Sequence, residues 1–295
     1  MAVSAHGAQL LFDYAVDKDG RRLYRSILTA RENGKGCLDV DTVKGCTLGM
    51  KAYPRGGCYG ECYAYKDATR YGITFGVAVS RRATPGVRDD VFCAVRDHGA
   101  SWYRVGVAGD PCHDWENTLS VCEFLGATHK VAVIITKHWT ALTDEQMRRL
   151  AALRAVVNTS TSGMDSDGEI AHRVEQMERL RAFGVSSVCR VVTCKYGASE
   201  WARKCKERQD YLLSITPIID NPLRASRSNY HVAAGDIMLE RMDGAIGGGK
   251  FVSLHSAEIY LGTCKRCPDQ CGVTCPRNNE THANNDNTRT VLAEN

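Results

Sequence analysis

Three cysteines lie close together in the first quarter of the chain, with eleven residues between Cys46 and Cys58 and three between Cys58 and Cys62. A disulfide needs two thiols, and a closed zinc site usually takes four ligands. Three thiolates on a four-iron cluster would leave one iron open to a ligand from outside the protein. The spacing therefore predicts a metal site with one free coordination position.

Residues 59–72 have the pattern of a short helix, and Cys58 and Cys62 are four positions apart at its start. On a helix such side chains share one face, with Cβ atoms about 5–6 Å apart. We therefore expect both thiols to point the same way, with Cys46 reaching them from the preceding loop. One alternative is a zinc ion held by these cysteines and a histidine such as His113. Another is a loop of ordinary reduced cysteines.

A second group of cysteines lies near the C-terminus, with two, three and three residues between its members: Cys264, Cys267, Cys271 and Cys275. Four thiols in so short a segment indicate a metal site. Zinc usually takes two CxxC pairs separated by a longer loop, whereas a closing Cys-Pro is typical of bacterial ferredoxin sequences. The spacing favours an auxiliary [4Fe-4S] cluster over zinc.

The whole chain has 295 residues, 43% of them hydrophobic, and a net charge of +4. This length suits one large α/β domain or two small ones. The slight positive charge is compatible with a polyanionic partner but does not indicate one. There is no signal-peptide pattern, and no apolar run approaches the roughly 18 residues of a membrane span. Fourteen cysteines in such a chain indicate a reducing compartment, so we expect a cytoplasmic protein without membrane contact.

The elements that must position the cysteines begin with a predicted hairpin at residues 8–30, which turns at Asp17–Gly20. Short apolar segments then alternate with amphipathic ones. The predicted strands are residues 36–43, 74–80, 102–110, 130–138, 155–162 and 186–194, with a further candidate at 215–224. The predicted helices are residues 86–99, 115–127, 143–154 and 169–184.

Repeated strand–helix units predict an α/β fold with a parallel sheet and right-handed connections. Such a sheet is either a partial (βα)6 barrel or an open doubly wound sheet. The GxGxxG that marks a dinucleotide-binding sheet is missing after the first strand, so the pattern favours the partial barrel. In either sheet, ligands bind at the carboxyl ends of the strands, where the first cysteine group lies.

Four regions are predicted along the chain: an N-terminal hairpin extension (1–36), the barrel (37–225), a C-terminal extension with the second metal site (226–280) and a mobile tail (281–295). The tail is almost devoid of apolar residues, which is typical of disorder. Residues 235–251 are rich in turn-forming residues, so no element is predicted there.

The sequence CYGECYAYK at 58–66 resembles the cysteine motif of the radical S-adenosylmethionine (SAM) enzymes. That family carries three cysteines after the first strand of a partial (βα)6 barrel, usually with three and then two residues between them. The wider first gap and the CYA sequence are similar to a branch from phages and bacteria, near spore photoproduct lyase. The resemblance extends through YRVGVAGDPCHDW and AVIITKHW and covers roughly residues 37–200.

This resemblance implies that Cys46, Cys58 and Cys62 hold a [4Fe-4S] cluster whose fourth iron binds the amino and carboxylate groups of SAM. An electron donor such as a flavodoxin would reduce the cluster. Cleavage of SAM would then give a 5′-deoxyadenosyl radical that abstracts hydrogen from the substrate. The branch and the mildly basic charge favour a nucleobase in DNA, such as phage DNA, or in RNA, which would be rearranged or modified. A peptide or a small molecule is the alternative substrate class.

SAM would need polar partners near the strand ends of such a barrel. The resemblance implies contacts from positions such as Tyr63 over the cluster, Ser80, Asp110, Lys137, Ser160, Thr161 and Arg190. Asp110 is the strongest candidate because it directly follows an apolar strand, with a simple turn residue as its alternative role. For Lys137 and Arg190 the alternative is an ion pair at the mouth of the barrel. No Gly-Gly-Glu follows the second strand, so no partner for the SAM amine is assigned.

Two other hypotheses cover the whole chain. A non-catalytic zinc protein could bind nucleic acid or a protein through the C-terminal cysteines, but the sequence lacks a dense basic stripe with interleaved aromatic residues. A barrel enzyme that binds phosphate without a metal would leave both cysteine groups without a role. Radical SAM chemistry is therefore the leading prediction.

Overall fold

The structure, a computed structural model, describes residues 14–33, 36–241, 251–256 and 270–273. Its strands are β1 (Tyr14–Val16), β2 (Arg22–Tyr24), β3 (Ala30–Glu32), β4 (Leu38–Val40), β5 (Val43–Lys44), β6 (Val79–Ser80), β7 (Trp102–Val105), β8 (Val131–Thr136), β9 (Val156–Ser162), β10 (Ser186–Thr193), β11 (Lys195–Tyr196), β12 (Ile218–Pro222), β13 (Ile237–Met238), β14 (Glu240–Arg241) and β15 (Phe251–Val252). Its helices are α1 (Thr47–Ala52), α2 (Tyr63–Arg70), α3 (Pro85–Asp97), α4 (Trp115–Gly126), α5 (Asp144–Ala152), α6 (Asp167–Ala182), α7 (Glu200–Leu213) and α8 (Tyr230–Ala233). None of the described helices is long and apolar enough to cross a membrane.

Seven strands form a central sheet in the order β12-β10-β9-β8-β7-β4-β3. Six of these strands, β4, β7, β8, β9, β10 and β12, are parallel to one another, and β3 pairs antiparallel with β4 at one edge. The parallel strands therefore stand side by side in chain order, and the described strands show no reversal of the kind that defines a doubly wound sheet. The predicted α/β class with a parallel sheet is confirmed, and β12 comes from the further candidate at 215–224.

Helices α3 to α7 pack on one face of this sheet, which we call the outer face. Because side chains alternate between the two faces of a strand, every second residue of each strand points to the outer face. Val105, Ile134 and Val157 are fully buried in one cluster with residues of α3 to α6. Cys189 and Val191 of β10 share that face through the β9–β10 register and pack against α6 and α7. Burial of each large apolar side chain contributes about 1.5–3 kcal/mol, which holds the layers together.

The helices begin at capping residues that the sequence displays. The Thr143 hydroxyl accepts a hydrogen bond from the Gln146 N–H at the start of α5, and Ser166 and Glu169 form the same capping box at α6. Helices α3 to α6 agree with the four predicted ones to within two residues at each end. Helix α7, capped by Ser199, is missing from the sequence prediction.

The prediction of a sheet strand at residues 74–80 is wrong. Only Val79–Ser80 is extended, and as β6 it pairs antiparallel with β5 outside the central sheet. The preceding residues pack against residues 45–62, which we call the cysteine loop. The Phe75 carbonyl accepts a hydrogen bond from the Cys46 N–H at 2.8 Å, and the Phe75 ring is buried. This segment therefore supports the loop rather than the sheet.

The face of the sheet opposite the helices, the inner face, is apolar at the amino ends of its strands. Its buried side chains there form one cluster: Trp102, Val133, Val156, Val188 and Cys271. Residues 270–273 lie directly on the sheet, since a Cβ at Gly272 would be 2.6 Å from Val188 Cγ2. This short C-terminal segment thus covers the amino end of the inner face.

Strands β1 and β2 form an antiparallel hairpin, with Tyr14 opposite Tyr24. The Asp17 carboxylate closes the turn by accepting hydrogen bonds from the backbone N–H groups of Asp19 and Arg21. The predicted hairpin is confirmed over this part. Residues 8–13 and the predicted tail at 281–295 lie outside the described residues.

Replacing Gly272 by Ala tests the contact between the C-terminal segment and the sheet. Both Gly272 (φ 94°) and Gly235 (φ 77°) have left-handed backbone, where a Cβ costs about 1–2 kcal/mol. Only at Gly272 would the Cβ also meet side chains, and overpacking costs typically about 1–3 kcal/mol more. We expect urea unfolding to show a larger loss of unfolding free energy in G272A than in G235A. Equal losses in the two variants would contradict the contact.

Candidate functional site

The three cysteines of the first group occupy different local structures. Cys46 is the N-cap residue of α1, and Cys62 is the N-cap residue of α2. Cys58 opens a 3-10 turn, so the prediction that Cys58 and Cys62 share one helix is wrong. The reason lies in the backbone, because Tyr59 has a φ of 59° and no helix continues through a left-handed residue.

Close backbone contacts hold the cysteine loop against the end of β7. The Gly45 N–H donates a hydrogen bond to the Ala108 carbonyl at 3.0 Å, and Gly45 and Gly109 form an isolated bridge. A Cβ at Gly109 would lie 2.5 Å from the Val43 carbonyl oxygen, so this approach requires glycine. Because Ala108 and Gly109 closely follow β7, the loop lies at the carboxyl edge of the sheet, as the sequence predicts.

The three thiols lie in one electrostatic neighbourhood. Burial raises the pKa of Cys46, and negative charge on Asp110, Cys58 and Cys62 raises it further. Burial likewise raises the pKa of Cys58 to about 11, partly offset by the Lys137 ammonium, and raises the pKa of Cys62. Charges affect one another in this way only over short distances in a protein. In the packing, Cys62 lies against the apolar cluster that contains Cys46, whereas Cys58 lies against a second cluster that contains Tyr59.

Glycines let the backbone close around these sulfurs. A Cβ at Gly49 would lie 2.6 Å from Cys46 Sγ, and a Cβ at Gly57 would lie 2.5 Å from Cys62 Cβ. Without a metal, the raised pKa values keep the thiols protonated at neutral pH. A bound cation would favour the thiolates and offset their mutual repulsion. The donor set thus fits a thiolate-bound metal centre, and iron–sulfur clusters are held by such thiolates.

One histidine reaches this group. The His113 Nε2 atom lies 3.4 Å from Cys46 Sγ, at the end of a 3-10 turn that starts at Pro111. Burial lowers the pKa of His113, so its imidazole is neutral at pH 7. Among the described residues, no three His, Cys, Asp or Glu side chains gather as the ligands of one metal ion would.

A buried polar network lies directly behind Cys58. Its centre is the fully buried Asp165 carboxylate, which accepts hydrogen bonds from the hydroxyls of Tyr53 at 2.8 Å and Tyr59 at 2.9 Å. Two cations face the same carboxylate: Lys137 at 3.5 Å, and Arg173 in a closer ion pair. The Lys137 ammonium also donates to the Tyr59 hydroxyl. Because Tyr59 follows Cys58 in the chain, this network fixes the position of the thiol.

Opposing effects act on the Asp165 carboxyl. Burial disfavours its ionised form, but Lys137, Arg173 and the two tyrosine hydroxyls outweigh burial and lower its pKa to about 2. The network therefore holds a carboxylate between two cations at neutral pH. Lys137 is thus already engaged in an ion pair at the carboxyl edge, and Thr161 donates to the same carboxylate at 3.1 Å.

Asp110, the strongest sequence candidate for a SAM contact, is engaged within the protein. Its carboxylate accepts hydrogen bonds from the Thr136 hydroxyl at 2.6 Å and from the backbone N–H groups of Lys137 and Cys112. The side chain is buried and joins the end of β7 to the end of β8. Asp110 therefore connects the carboxyl ends of β7 and β8.

Two further candidates have partners of their own. The Ser80 hydroxyl donates to the Asp114 carboxylate at 2.5 Å, and Asp114 caps α4. Ser80 is the last residue of β6, which lies outside the central sheet, so it does not follow a strand of that sheet as predicted. The Tyr63 hydroxyl donates to the Val107 carbonyl beyond β7, while 57% of the residue is exposed. Tyr63 therefore spans from the cysteine loop to the sheet edge.

The inner face also carries polar side chains beside its apolar cluster. Asp39 and Arg104 pair at 2.9 Å between β4 and β7, and burial raises the pKa of Asp39 despite this partner. Ser160 and Arg190 stand side by side in the β9–β10 register. The buried Asn158 amide donates to the Cys271 carbonyl at 2.7 Å, whereas its Oδ1 atom has no hydrogen-bond partner among the described residues. The inner face thus combines an apolar cluster under residues 270–273 with polar side chains on β4, β7, β9 and β10.

Only one residue of the second cysteine group lies in the described chain. Cys271 is buried on the inner face, with its Sγ atom 3.9 Å from the Arg190 guanidinium. Cys264, Cys267 and Cys275 lie outside the described residues, so the predicted second metal site stays a prediction.

Sequence reasoning missed the centre of the polar network. One signal was present, because Arg173 lies three residues after Ile170 and four before Met177, both of which are buried on α6. A cation on an apolar helix stripe indicates a buried counter-ion. Asp165 itself gives no comparable signal, since its partners come from distant parts of the chain.

A scan against protein-family models finds no match to this chain, and a search of curated proteins finds no relative.

Replacing Asp165 by Asn tests the polar network. The change leaves Lys137 and Arg173 buried without a counter-ion, which typically costs about 3–5 kcal/mol of unfolding free energy. The matched control is D167N, since Asp167 pairs with Arg208 but is 83% exposed, and such pairs contribute about 0–1 kcal/mol. Urea unfolding at pH 7 should separate the two variants clearly. Comparable losses would contradict the central role of Asp165.

The same network predicts a pH dependence. The folded-state pKa of Asp165 is about 2, below its ordinary 3.8, so folding stabilises the ionised carboxylate. This contribution is complete above pH 3.8 and is lost as the pH falls towards 2. The difference in unfolding free energy between wild type and D165N should therefore shrink over that range. A difference that stays constant from pH 5 to pH 2 would argue against an ionised Asp165.

Proposed function

We propose that this chain is a radical SAM enzyme in which Cys46, Cys58 and Cys62 hold a [4Fe-4S] cluster. The observation that supports this most is that one loop at the carboxyl edge of a parallel sheet carries three thiols, one buried and two partly buried, whose charges influence one another. The thiolates of a cube bind different irons, so they need a wider spacing than the ligands of one ion. With SAM bound, the cluster would supply a radical derived from SAM that abstracts hydrogen from the substrate.

The sheet itself supports a partial (βα)6 barrel. Its parallel strands follow one another in chain order, and helices α3 to α7 cover the same face. A doubly wound sheet would place helices on both faces and reverse its strand order. In a barrel the other face is the interior, where polar side chains at the carboxyl ends bind ligands. Ser160 on this face stays a candidate partner of SAM.

Several residues of the chain have roles that follow from their contacts. The Lys137 ammonium favours the thiolate forms of Cys58 and Cys62, because its charge lowers the pKa that burial raises. Tyr63 covers the edge between the loop and β7, where it would exclude water from the site. Asp110 keeps the ends of β7 and β8 together beneath them.

The substrate belongs to the same proposal. A nucleobase in DNA or RNA is our first choice, and a peptide or small molecule is the alternative. An electron donor such as a flavodoxin would reduce the cluster. The eleven described cysteines are all free thiols, which supports a reducing, cytoplasmic setting. For the second cysteine group we propose an auxiliary iron–sulfur cluster in preference to zinc.

A zinc-binding interaction protein is the rival function, and one observation favours it. His113 lies 3.4 Å from Cys46 Sγ, although a four-ligand zinc site would require Cys58 and Cys62 to close around this pair. Under this rival the protein binds nucleic acid or another protein without catalysis. The two functions differ in the metal and in the need for His113.

Single Cys→Ala variants of the three proposed ligands test the function. Protein reconstituted anaerobically with iron and sulfide should be coloured, and with reductant and SAM it should release 5′-deoxyadenosine, detected by mass spectrometry. C46A, C58A and C62A should each reduce this product to the level of a blank, because a cube held by two thiolates is not retained. C93A is the matched control, since Cys93 lies on α3 away from the loop, and it should keep full activity.

Two results would contradict the proposal. One is a colourless protein that holds stoichiometric zinc at the loop and loses it in H113A. The other is 5′-deoxyadenosine formation that persists in all three cysteine variants. An H113A variant that retains iron and sulfide would weigh against the zinc rival.

A further inference from the structure

A histidine ring lies against one of the three proposed cluster ligands. The Nε2 atom of His113 is 3.4 Å from Cys46 Sγ, within hydrogen-bond reach of a sulfur atom. Only 8% of Cys46 is exposed, and His113 is half-buried. A polar contact between two groups that are largely removed from water is weakened little by solvent. The imidazole is therefore placed to act directly on this sulfur.

The backbone on the histidine side of this contact is fixed by two aspartates. Asp110 accepts a hydrogen bond from the Cys112 N–H at 3.1 Å and so closes the 3-10 turn that ends at His113. Asp114 accepts one from the Asn117 N–H at 3.0 Å and caps α4 directly after the histidine. The ring thus projects from a backbone that is held on both sides.

The backbone on the cysteine side is held as well. The Cys46 N–H donates to the Phe75 carbonyl at 2.8 Å, and the Gly45 N–H donates to the Ala108 carbonyl at 3.0 Å. The thiol lies close against Gly49, where a Cβ would be 2.6 Å from Cys46 Sγ. The position of the sulfur is therefore set by the fold of the cysteine loop.

Two further contacts join the histidine side to the cysteine side. The Asn117 amide on α4 donates to the Thr42 carbonyl at 3.0 Å, and the hydroxyls of Thr42 and Thr118 are 2.7 Å apart. Both threonines are fully buried. The start of α4, which follows His113, is thus attached to the residues that lead into Cys46. The ring and the thiol meet because the surrounding backbone brings them together.

The chemistry of a metal-bound thiolate decides what the imidazole can do. A thiolate has no proton to donate, so it can only accept a hydrogen bond. An imidazole that faces it through Nε2 must carry hydrogen on that atom, as the neutral Nε2–H tautomer and the charged ring both do. Hydrogen bonds to the sulfurs of an iron–sulfur cluster help to set its reduction potential. Because reduction adds negative charge, an N–H beside the sulfur stabilises the reduced form more than the oxidised form.

We propose that His113 is a positioning residue of the cluster site. Its Nε2–H donates a hydrogen bond to Cys46 Sγ, which holds that ligand in place and raises the reduction potential of the cluster. The assignment rests on the proposed function, since it gives His113 a role towards the [4Fe-4S] cluster. His113 is then the partner of a ligand and not a ligand itself, in contrast to its part in the zinc rival.

Redox titration of the reconstituted full chain, followed by EPR spectroscopy, tests this role. The loop cluster is identified as the signal that C58A lacks. H113A should keep the iron and sulfide content of wild type, because the three thiolates remain. At a fixed ambient potential, its ratio of reduced to oxidised loop cluster should fall by about threefold to tenfold, the effect of one lost hydrogen bond.

Two more variants make the titration specific. H113Q carries an amide N–H donor and should bring the ratio back towards that of wild type. H129N is the control, because His129 is exposed and its left-handed backbone (φ 59°) suits asparagine. The ratio in H129N should equal that of wild type.

The outcomes separate the failure of this role from the failure of the proposed function. A wild-type ratio in H113A overturns the role of His113, and so does an equal fall in H113A and H129N. Loss of iron from both H113A and H113Q also overturns it, since the histidine would then be a ligand. These results concern His113 alone. A wild type with no cluster signal that C58A lacks would contradict the proposed function and this role together.

Discussion

Negative charge cannot gather on three neighbouring, desolvated thiols unless a cation joins them. The cysteine loop creates this situation, because burial and mutual repulsion raise the pKa of Cys46, and burial raises that of Cys58 and Cys62. The loop is nevertheless tightly built, with glycines at 49 and 57 packed against the thiol side chains. A loop in which the cysteines served only as small apolar side chains would not need glycines packed so closely against them. Protonated thiols satisfy this constraint without a cation, whereas thiolates satisfy it only with one, so the proposed function requires a metal centre at this place.

The position of the cysteine loop depends on a group of buried charges that lies behind Cys58. Asp165, with Lys137 and Arg173, forms a buried ion cluster that binds the Tyr59 hydroxyl and so fixes the residue after Cys58. A buried carboxylate between two cations contributes little net stability, but it specifies one arrangement of its partners. We interpret the network as the device that keeps the thiols at the carboxyl edge of the sheet.

Much of the fold follows from local patterns, and most of the site does not. Apolar runs and capping residues predict β7 to β10 and α3 to α6, because each pattern is contained within one element. Residues 74–80 look like a strand for the same reason, yet their backbone bonds to the distant Cys46 and not to the sheet. The partners of Asp165 come from Tyr53, Tyr59 and Arg173, and no local pattern connects them. For Asp110 the position at the end of β7 was predicted from the sequence, but its hydrogen-bond partners were not. They are groups of the protein: the Thr136 hydroxyl and the N–H groups of Cys112 and Lys137.

Mössbauer spectroscopy of protein reconstituted with isotope-enriched iron tests the central claim most directly. If three thiolates leave one iron of the cluster open, addition of SAM should change the signal of one iron in four and leave the other three unchanged. The same signal in C93A and its loss in C58A would assign that cluster to the cysteine loop. A spectrum that does not respond to SAM, or a loop that binds only zinc, would contradict the account.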